Sequence, residues 1–248
     1  MRAEDLTWEE YGAQVNDRIA ILPVGSTEQH GPHLPLNVDV VITTRLAEML
    51  ASRIQGLVLP SIVYGCRPLT TSCCGDLFPG TTSLEVVTLI DVVSDVIGET
   101  YRHGARRFLI LNGHWENVPS LVESAYRLVS RRGDAKVVVM SWWDVFPQSL
   151  IEPVFAGAGF DGWEKEHAAL VETSLMLHFA PGSVRRDRIL DDGSERLPLY
   201  AVLPQPADII PKSGVGYKAT YASEEKGGLI ADQLANAIAE ATLKELTP

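Results

Sequence analysis

The stretch IAILPVGSTEQHGPHLPLNVD, residues 19–39, contains the signal that decides the fold. Its first six residues, Ile19–Val24, form a continuous apolar run, which is typical of a strand buried on both faces of a sheet. A glycine follows at once, and Glu28, His30 and Asp39 come after it on a segment rich in glycine and proline. This order predicts a buried strand whose carboxyl end leads into a loop of potential metal ligands.

The rest of the chain repeats this alternation of apolar runs and amphipathic segments. Apolar runs at residues 57–59, 108–111 and 136–140 predict further strands. Continuous Val/Ile/Leu strands that alternate with helices favour an α/β fold, here a three-layer α/β/α arrangement with a mostly parallel sheet. Because no repeat or linker-like change in composition divides the chain, we expect residues 1–248 to form a single domain. The predicted helices are residues 43–54, 84–103 with Ser83 as N-cap, 119–132, 167–179 and 227–246.

The charge balance argues against several classes of partner. The chain has 32 acidic and 21 basic residues, for a formal net charge of −11, and such a surface repels phosphate backbones and anionic lipid. We therefore expect neither nucleic acid nor a membrane as a partner. No apolar signal segment opens the chain and no run approaches ~18 apolar residues, so a cytoplasmic location is expected. The cysteines Cys66, Cys73 and Cys74 cannot form a disulfide framework and are expected to be reduced.

A second polar cluster, NGHWEN at residues 112–117, follows the strand predicted at 108–111. His114 and Glu116 are two positions apart and project to the same side if the backbone there is extended. The carboxyl ends of parallel strands lie at one edge of a sheet, where the sites of such folds are found. We therefore expect this cluster to meet the one that follows Ile19–Val24.

The two clusters together offer two imidazoles and three carboxylates, a donor set that suits two cations. Two divalent cations carry four positive charges, which three carboxylates and one hydroxide balance, whereas a single cation would be over-neutralised. Mixed imidazole and carboxylate ligation favours Zn²⁺ or Mn²⁺. Two such ions about 3.5–4 Å apart can share a carboxylate and a hydroxide nucleophile. The alternative is that these residues serve only as turn and capping residues. The expected cofactor is two divalent ions per subunit, zinc and/or manganese, held by Glu28, His30, Asp39, His114 and Glu116.

These segments resemble the creatininase family. LPVGSTEQHGPHLPLNVD at residues 22–39 is similar to the family's first metal-binding motif, and LILNGHWEN at 109–117 is similar to its second. The similarity continues in FPGTTSL (78–84), RHGARR (102–107) and ETSLML (172–177), so it covers almost the whole chain.

The resemblance implies a role for each matched residue. Glu28 and His114 hold one metal ion, His30 and Glu116 hold the other, and Asp39 bridges the two. His167 handles the proton, so that His167, Glu116 and Asp39 form the catalytic group. The substrate pocket implied by the resemblance is lined by Ser72, Trp115, Trp143, Trp163, Glu164 and His167.

Glu172 lies in a mainly apolar helical segment, where a buried carboxylate needs a partner. One interpretation is that it orients a metal ligand or His167 from behind. A purely structural hydrogen bond is the alternative.

The function implied by the resemblance is hydrolysis of a small cyclic amide, creatinine, to creatine in a reversible reaction by a homo-oligomer, a hexamer in the family. Trp115 stands where creatinine-hydrolysing members have Tyr, and Glu164 stands where they have Asp. The alternative is therefore that the substrate is another amide, either the formamide of a pyrimidine nucleotide or a peptide. A non-catalytic, metal-dependent ligand-binding protein is the other alternative.

One motif is not expected to be functional. Gly214, Gly216 and Ala219 match the dinucleotide-binding pattern GxGxxA. The pattern follows Pro211 and not a buried strand, so the strand–turn–helix context that nucleotide binding requires is absent.

Overall fold

The computed structural model describes residues 1–69, 71, 76–193 and 199–247. At the centre of this described part lies a sheet in which every pair of neighbouring strands is parallel. The strands are β1 (Ile19–Val24), β2 (Gly56–Val58), β3 (Arg107–Asn112) and β4 (Lys136–Ser141), in the spatial order β2-β1-β3-β4.

Helices connect and cover the strands. Among the described residues, none of these helices is both long enough and apolar enough to cross a membrane. The α-helices are α1 (Trp8–Gly12), α2 (Val38–Ala51), α3 (Val86–Arg102), α4 (Val118–Arg131), α5 (Ile151–Phe155), α6 (Leu170–Phe179) and α7 (Glu224–Leu246). Short 3-10 helices are Ala3–Asp5, Trp115–Asn117, Trp142–Val145, Gln148–Leu150, Trp163–Lys165, Pro181–Ser183, Arg186–Arg188 and Ala207–Ile209.

The apolar side chains of β1 pack into two separate cores, one on each face of the sheet. Ile19 and Ile21 pack into the core shared with α2, α6 and α7. Ala20 and Leu22 point the other way, into the core shared with α3 and α4. Because successive side chains of a strand point to opposite faces, a strand with helices on both sides must be apolar throughout. The expected three-layer α/β/α fold with a parallel sheet is confirmed.

The prediction that Ser83 caps α3 is wrong. The segment before this helix is extended: Thr82 bridges to Thr27, and the backbone amide of Leu84 donates to the carbonyl of Gly65. The Ser83 hydroxyl donates instead to the carboxylate of Asp76 at 2.6 Å. The helix therefore begins only at Val86.

The prediction that His167 begins a helix is also wrong, because α6 starts three residues later. Ala168 has φ +52°, in the left-handed region that interrupts a right-handed helix. The carboxyl groups of two residues stabilise this conformation: Glu172 accepts from the amide of Ala168 at 2.6 Å, and Glu166 accepts from the amide of Val171 at 3.0 Å. His167 consequently lies in the irregular segment that precedes the helix.

Candidate metal centre

The loops that follow β1, β3 and β4 begin side by side. Val24, the last residue of β1, pairs with Asn112 at the end of β3, and Asn112 pairs with Ser141 at the end of β4. The segment that carries Glu28, the segment that carries His114 and the 3-10 helix Trp142–Val145 therefore leave the sheet at one edge. This is the edge at which parallel α/β sheets place their sites.

Close packing of backbone brings Asp39 to this edge. Asp39 lies in the first turn of α2, and a Cβ atom on Gly25 would lie only 2.6 Å from the backbone nitrogen of Val40, so the helix start rests directly against the end of β1. The buried amide of Asn117 ties the neighbouring loop to the same place. Its Nδ2 donates to the carbonyl of Gly25 at 3.1 Å, and its Oδ1 accepts from the amide of Cys66 at 2.8 Å.

One cluster of buried donor atoms consists of Glu28, Asp39 and His114, whose ligand atoms all lie within 4.8 Å of one another. Nδ1 of His114 is 3.1 Å from Oε2 of Glu28 and 3.3 Å from Oδ2 of Asp39. Nε2 of the same ring lies 3.0 Å from the carbonyl of Cys66, to which it donates. This second contact orients the ring and leaves Nδ1 as the ligand atom. Most metal-binding histidines likewise donate their other ring nitrogen to a neighbouring acceptor.

The second cluster consists of His30, His167 and Glu172, again with ligand atoms within 4.8 Å. Nε2 of His30 is 3.1 Å from Oδ1 of Asp39 and 3.5 Å from Oε2 of Glu172. Its Nδ1 donates to the carbonyl of Glu28 at 3.1 Å, which leaves Nε2 for a ligand. The two oxygens of Asp39 therefore face different histidines, and Asp39 joins the two clusters.

The donor set fits divalent cations. Oε1 of Glu28, Nε2 of His30 and Oδ2 of Asp39 are buried without a hydrogen-bond partner among the described residues. Buried polar atoms are nearly always partnered, so three neighbouring exceptions require an explanation. Nε2 of His30 lies 3.1 Å from Oδ1 of Asp39, so both atoms can reach one cation. Among the described residues neither cluster contains a thiolate, which matches Zn²⁺ or Mn²⁺ bound by nitrogen and oxygen.

The electrostatics of the protein alone show how strongly these groups interact. Burial by itself would lower the pKa of His30, but the carboxylates of Asp39 and Glu172 outweigh it and raise that pKa well above its usual value. Burial would likewise raise the pKa of Asp39, but the neighbouring His30 and His114 lower it. The site therefore stabilises ionised carboxylates in the protein interior, and a cation can take the place of the protons on the imidazoles.

Glu116, which the family resemblance implies as a ligand of the second ion, lies next to His114, and Glu172 lies next to His30. Oε2 of Glu116 lies 3.3 Å from Nε2 of His114, on the opposite side of the ring from Asp39, and its Oε1 accepts from the amide of Leu69 at 3.1 Å. Glu116 thus lies beside the first cluster and in neither group of ligand atoms. Glu172, expected behind the ligands, lies in the second group.

Indole rings form much of the cavity beside the clusters. Trp115 stacks on Trp143, with ring centroids 5.6 Å apart, and Trp163 meets the buried Trp142 edge to face at 5.6 Å. The other polar groups at the wall are carboxylates and imidazoles, and no Lys or Arg among the described residues lines the cavity. The lining residues are Glu28, Asp39, Gly113, His114, Trp115, Glu116, Trp142, Trp143, Trp163, Glu164, Glu166, His167 and Glu172.

His167 is half-buried in the cavity wall, with its ring centroid 4.3 Å from that of His30. Its Nε2 donates to the backbone carbonyl of Gln29 at 2.8 Å. The ring is therefore held between the second cluster and the segment that carries the first ligands.

Ser72, together with Cys73 and Cys74, lies outside the described residues.

Three residues of the site were not singled out from the sequence. Trp142, Gln29 and Glu166 are each immediate neighbours of a residue that was. The carboxyl of Glu166 is buried, which raises its pKa to about 8, and its Oε1 has no hydrogen-bond partner among the described residues.

Comparison with known proteins identifies relatives over nearly the full length. The creatininase family model, described as creatinine amidohydrolase, matches residues 4–242. A creatinine amidohydrolase of Pseudomonas putida is 42% identical over 251 residues, which cover 98% of this chain and 96% of that protein. A mycofactocin precursor peptide peptidase of Mycobacterium ulcerans (strain Agy99) is 32% identical over 193 residues, which cover 74% of this chain and 66% of that protein.

Solved structures of creatininase share the fold. The manganese form has a TM-score of 0.93 at 42% identity, with 100% of this chain and 99% of that chain covered. A variant of the Zn–Zn type has a TM-score of 0.94 at 41% identity, with 100% and 98% covered. A variant complexed with creatine has a TM-score of 0.93 at 42% identity, with 100% and 99% covered. The family model matches residues 4–242 of the chain, and a relative of 42% identity covers 98% of the chain. The chain therefore belongs to the creatininase family of hydrolases.

Proposed function

We propose that the protein is a binuclear metal amidohydrolase that opens creatinine with water to give creatine, in a reaction that runs in both directions. The position of Asp39 carries the proposal, because its two oxygens face His30 and His114 separately beside an indole-walled cavity. The Pseudomonas putida relative supports the choice of substrate, and so does the creatininase variant that was solved with creatine.

Two divalent cations fit the donor atoms of this chain. Glu28, Asp39 and His114 hold one cation, and Asp39 with His30 holds the second. Glu116, by the family resemblance, completes the second position, although Glu172 lies nearer to His30 here. When bound, a pair of such ions makes hydroxide available near neutral pH and polarises a carbonyl group.

The cavity suits a flat, polar heterocycle. The indole rings of Trp143 and Trp163 present apolar faces on which a planar ring can stack, and Trp115 extends the same wall. Glu164 at the wall offers an acceptor for the N–H groups of the substrate. In this proposal Trp115 and Glu164 replace the Tyr and Asp of creatinine-hydrolysing relatives and Ser72 completes the pocket.

His167 handles the proton in the proposed reaction. Attack of water on the ring carbonyl forms a C–O bond and releases a proton, and ring opening breaks the C–N bond and requires a proton on the departing nitrogen. His167 lies in the cavity wall beside His30, so it can take the first proton and deliver the second. A positioned acid–base group of this kind contributes roughly 10²–10⁴-fold in rate.

The same machinery can cleave other amides. A peptide bond is the alternative favoured by the relationship to the mycofactocin precursor peptide peptidase. A nucleotide formamide carries a phosphate, which needs basic side chains, and none lines the cavity among the described residues. A purely ligand-binding role gives no reason to place His167 next to the metal cluster.

The test combines metal analysis with substrate comparison. Purified protein is expected to contain about two ions per chain, to convert creatinine and creatine into each other, to lose turnover on chelation and to regain it with Mn²⁺ or Zn²⁺. An N-formyl aminopyrimidine nucleotide and a precursor peptide serve as competing substrates. Absence of creatinine turnover in fully metal-loaded protein would exclude the proposal, and turnover of the peptide alone would establish the alternative.

A further inference from the structure

The Gly-x-Gly segment at residues 211–216, here named the clamp loop, touches both His167 and its neighbour Gln29. The amide of Gly216 donates to the carbonyl of His167 at 2.7 Å. The carbonyl of Gly214 accepts from Nε2 of Gln29 at 3.1 Å. No strand precedes the loop and no helix follows it directly, so the described structure shows no nucleotide-binding turn here.

Gln29 is oriented without ambiguity. Its Oε1 accepts from the amide of Gly31 at 3.0 Å, and its Nε2 donates to Gly214, so the amide group cannot be turned over without losing both contacts. Gln29 is 5% exposed, and its Nε2 lies 2.9 Å from Nε2 of His167. The backbone carbonyl of Gln29 accepts from the same ring nitrogen. Gln29 therefore contacts Nε2 of the imidazole with both its side chain and its backbone carbonyl.

Gly214 has no room for a side chain. Its φ is +78°, which L residues rarely adopt, and a Cβ atom there would lie 1.9 Å from Oε1 of Gln29. Any side chain at Gly214 must displace the amide group of Gln29, which contacts His167. The glycine is therefore explained by contact with Gln29.

The clamp loop is itself anchored from the far side. Oδ2 of Asp192 accepts from the amide of Ser213 at 2.9 Å and from its hydroxyl at 2.7 Å. The Ser213 oxygen in turn accepts from the amide of Val215 at 3.2 Å. These hydrogen bonds hold the clamp loop in place, and its contact with Gln29 fixes the position of the Gln29 side chain.

We propose that Gln29 and the clamp loop form a positioning device for His167, which sets the direction of its imidazole in the cavity. The inference deepens the proposed function, since it rests on His167 as the proton-transfer group. Gln29 is a positioning residue and does not itself touch the reacting atoms. Displacing a reacting group by ~1 Å can cost about 10²-fold in rate, so a device of this kind matters even when the ring stays in the site.

The test compares two glycine-to-alanine variants that differ only in what the new Cβ meets. Gly214→Ala introduces strain at φ +78° and pushes Gln29. Gly159→Ala introduces the same strain at φ +79°, but its Cβ meets only Oη of Tyr217 at 3.8 Å. We expect both variants to lose thermal stability, with the larger loss in Gly214→Ala because its Cβ also displaces Gln29. We expect kcat to fall about tenfold or more in Gly214→Ala alone, with KM little changed and both ions retained. Crystal structures are expected to show the His167 ring displaced only in Gly214→Ala.

The outcomes separate this inference from the proposed function. If the wild type does not hydrolyse creatinine, the proposed function fails, and the ring position in the two variants still decides the inference. The inference would be overturned if the His167 ring is not displaced in Gly214→Ala. It would also be overturned if the activity of Gly214→Ala falls only in proportion to a loss of bound metal. If Gly214→Ala does not fold, two variants of Asp192 replace it as the test. Asp192→Ala is expected to lower kcat severalfold, whereas Asp192→Asn, which keeps an acceptor for Ser213, is expected to have the kcat of the wild type. Equal kcat in the two Asp192 variants and the wild type would also overturn it.

Discussion

The indole rings of Trp115 and Trp143 are stacked, with their planes 22° from parallel and their centroids 5.6 Å apart. Trp115 follows β3 and Trp143 follows β4, so the pair joins two loops that leave neighbouring strands. Trp115 is 44% exposed and Trp143 is half-buried. One wall of the cavity therefore depends on contact between these two loops.

Replacing Trp143 by Ala removes both the stacking partner of Trp115 and part of the surface for a planar substrate. An aromatic pair contributes ~0.5–1.5 kcal/mol beyond the area it buries, so kcat/KM for creatinine is expected to fall about 2- to 10-fold. Steady-state kinetics with parallel metal analysis measures the effect, and the metal content is expected to stay unchanged. Trp8→Ala is the control, because Trp8 is 82% exposed on α1 and does not line the cavity. Equal kinetics in the two variants would remove Trp143 from the substrate wall.

Asp39→Asn tests the bridge between the two clusters. The amide nitrogen cannot act as a metal ligand, so one of the two oxygens that face His30 and His114 is lost. We expect this variant to hold fewer than two ions per chain and to lose at least about 10²-fold in kcat. Glu28→Gln affects only the first cluster and is expected to retain one ion. Full metal content in Asp39→Asn, measured by elemental analysis after gel filtration, would show that Asp39 is not shared.

Two further variants decide which carboxylate completes the second position. Glu116→Gln is expected to lose metal and activity together, as the family resemblance implies. Glu172→Gln is expected to keep both ions, because Oε2 of Glu172 already accepts from the amide of Ala168 at 2.6 Å. Elemental analysis of both variants against the wild type gives the answer. The reverse pattern would assign Glu172 as the ligand and place Glu116 outside the metal centre.

Local patterns in the sequence predicted the frame of this site. The apolar run Ile19–Val24 has the same bounds as β1, because a strand buried on both faces must be apolar at each position. The convergence of the Glu28 and His114 segments followed from the rule that parallel strands place their carboxyl ends at one edge. Neither inference required knowledge of side-chain packing.

Features that depend on distant contacts could not be predicted in this way. Gln29 acquires its orientation from Gly214, 185 positions later in the chain, and no pattern around Gln29 indicates that contact. The left-handed conformation of Ala168, which removes His167 from α6, depends on where the carboxyl groups of Glu166 and Glu172 lie. In each case the controlling interaction lies outside the periodicity of the segment.

His167→Ala tests the proton-transfer role. We expect both ions to be retained and kcat to fall roughly 10²–10⁴-fold, since the metal-bound site remains but the leaving nitrogen receives no positioned proton. His178→Ala is the control, because His178 is exposed near the end of α6 and does not line the cavity. A rate near that of the wild type would refute the proton role. Loss of an ion from His167→Ala would instead make His167 a ligand, as its place in the second cluster permits.

His33 is buried in the segment between His30 and Asp39. Nε2 of His33 lies 2.9 Å from the hydroxyl of Thr173, and that hydroxyl donates to the carbonyl of Ala168, so the imidazole N–H must donate to Thr173. Nδ1 has no hydrogen-bond partner among the described residues. The neutral imidazole therefore fits this site, and a second proton would be buried without an acceptor.

Burial, reinforced by positive charge at His30, lowers the pKa of His33 from 6.5 to about 4. Between these two values the unfolded chain binds a proton at His33 and the folded protein does not, so protonation favours unfolding. The stabilising contribution is fully present above the pKa of the unfolded chain and is lost as the pH falls towards the folded pKa of about 4. Urea unfolding of metal-free protein at about pH 7 and pH 5 is expected to show a steeper loss of stability in the wild type than in His33→Gln. His178→Gln, which removes an exposed imidazole, is expected to behave like the wild type, and equal pH dependence in His33→Gln would contradict the assignment of a neutral, buried His33.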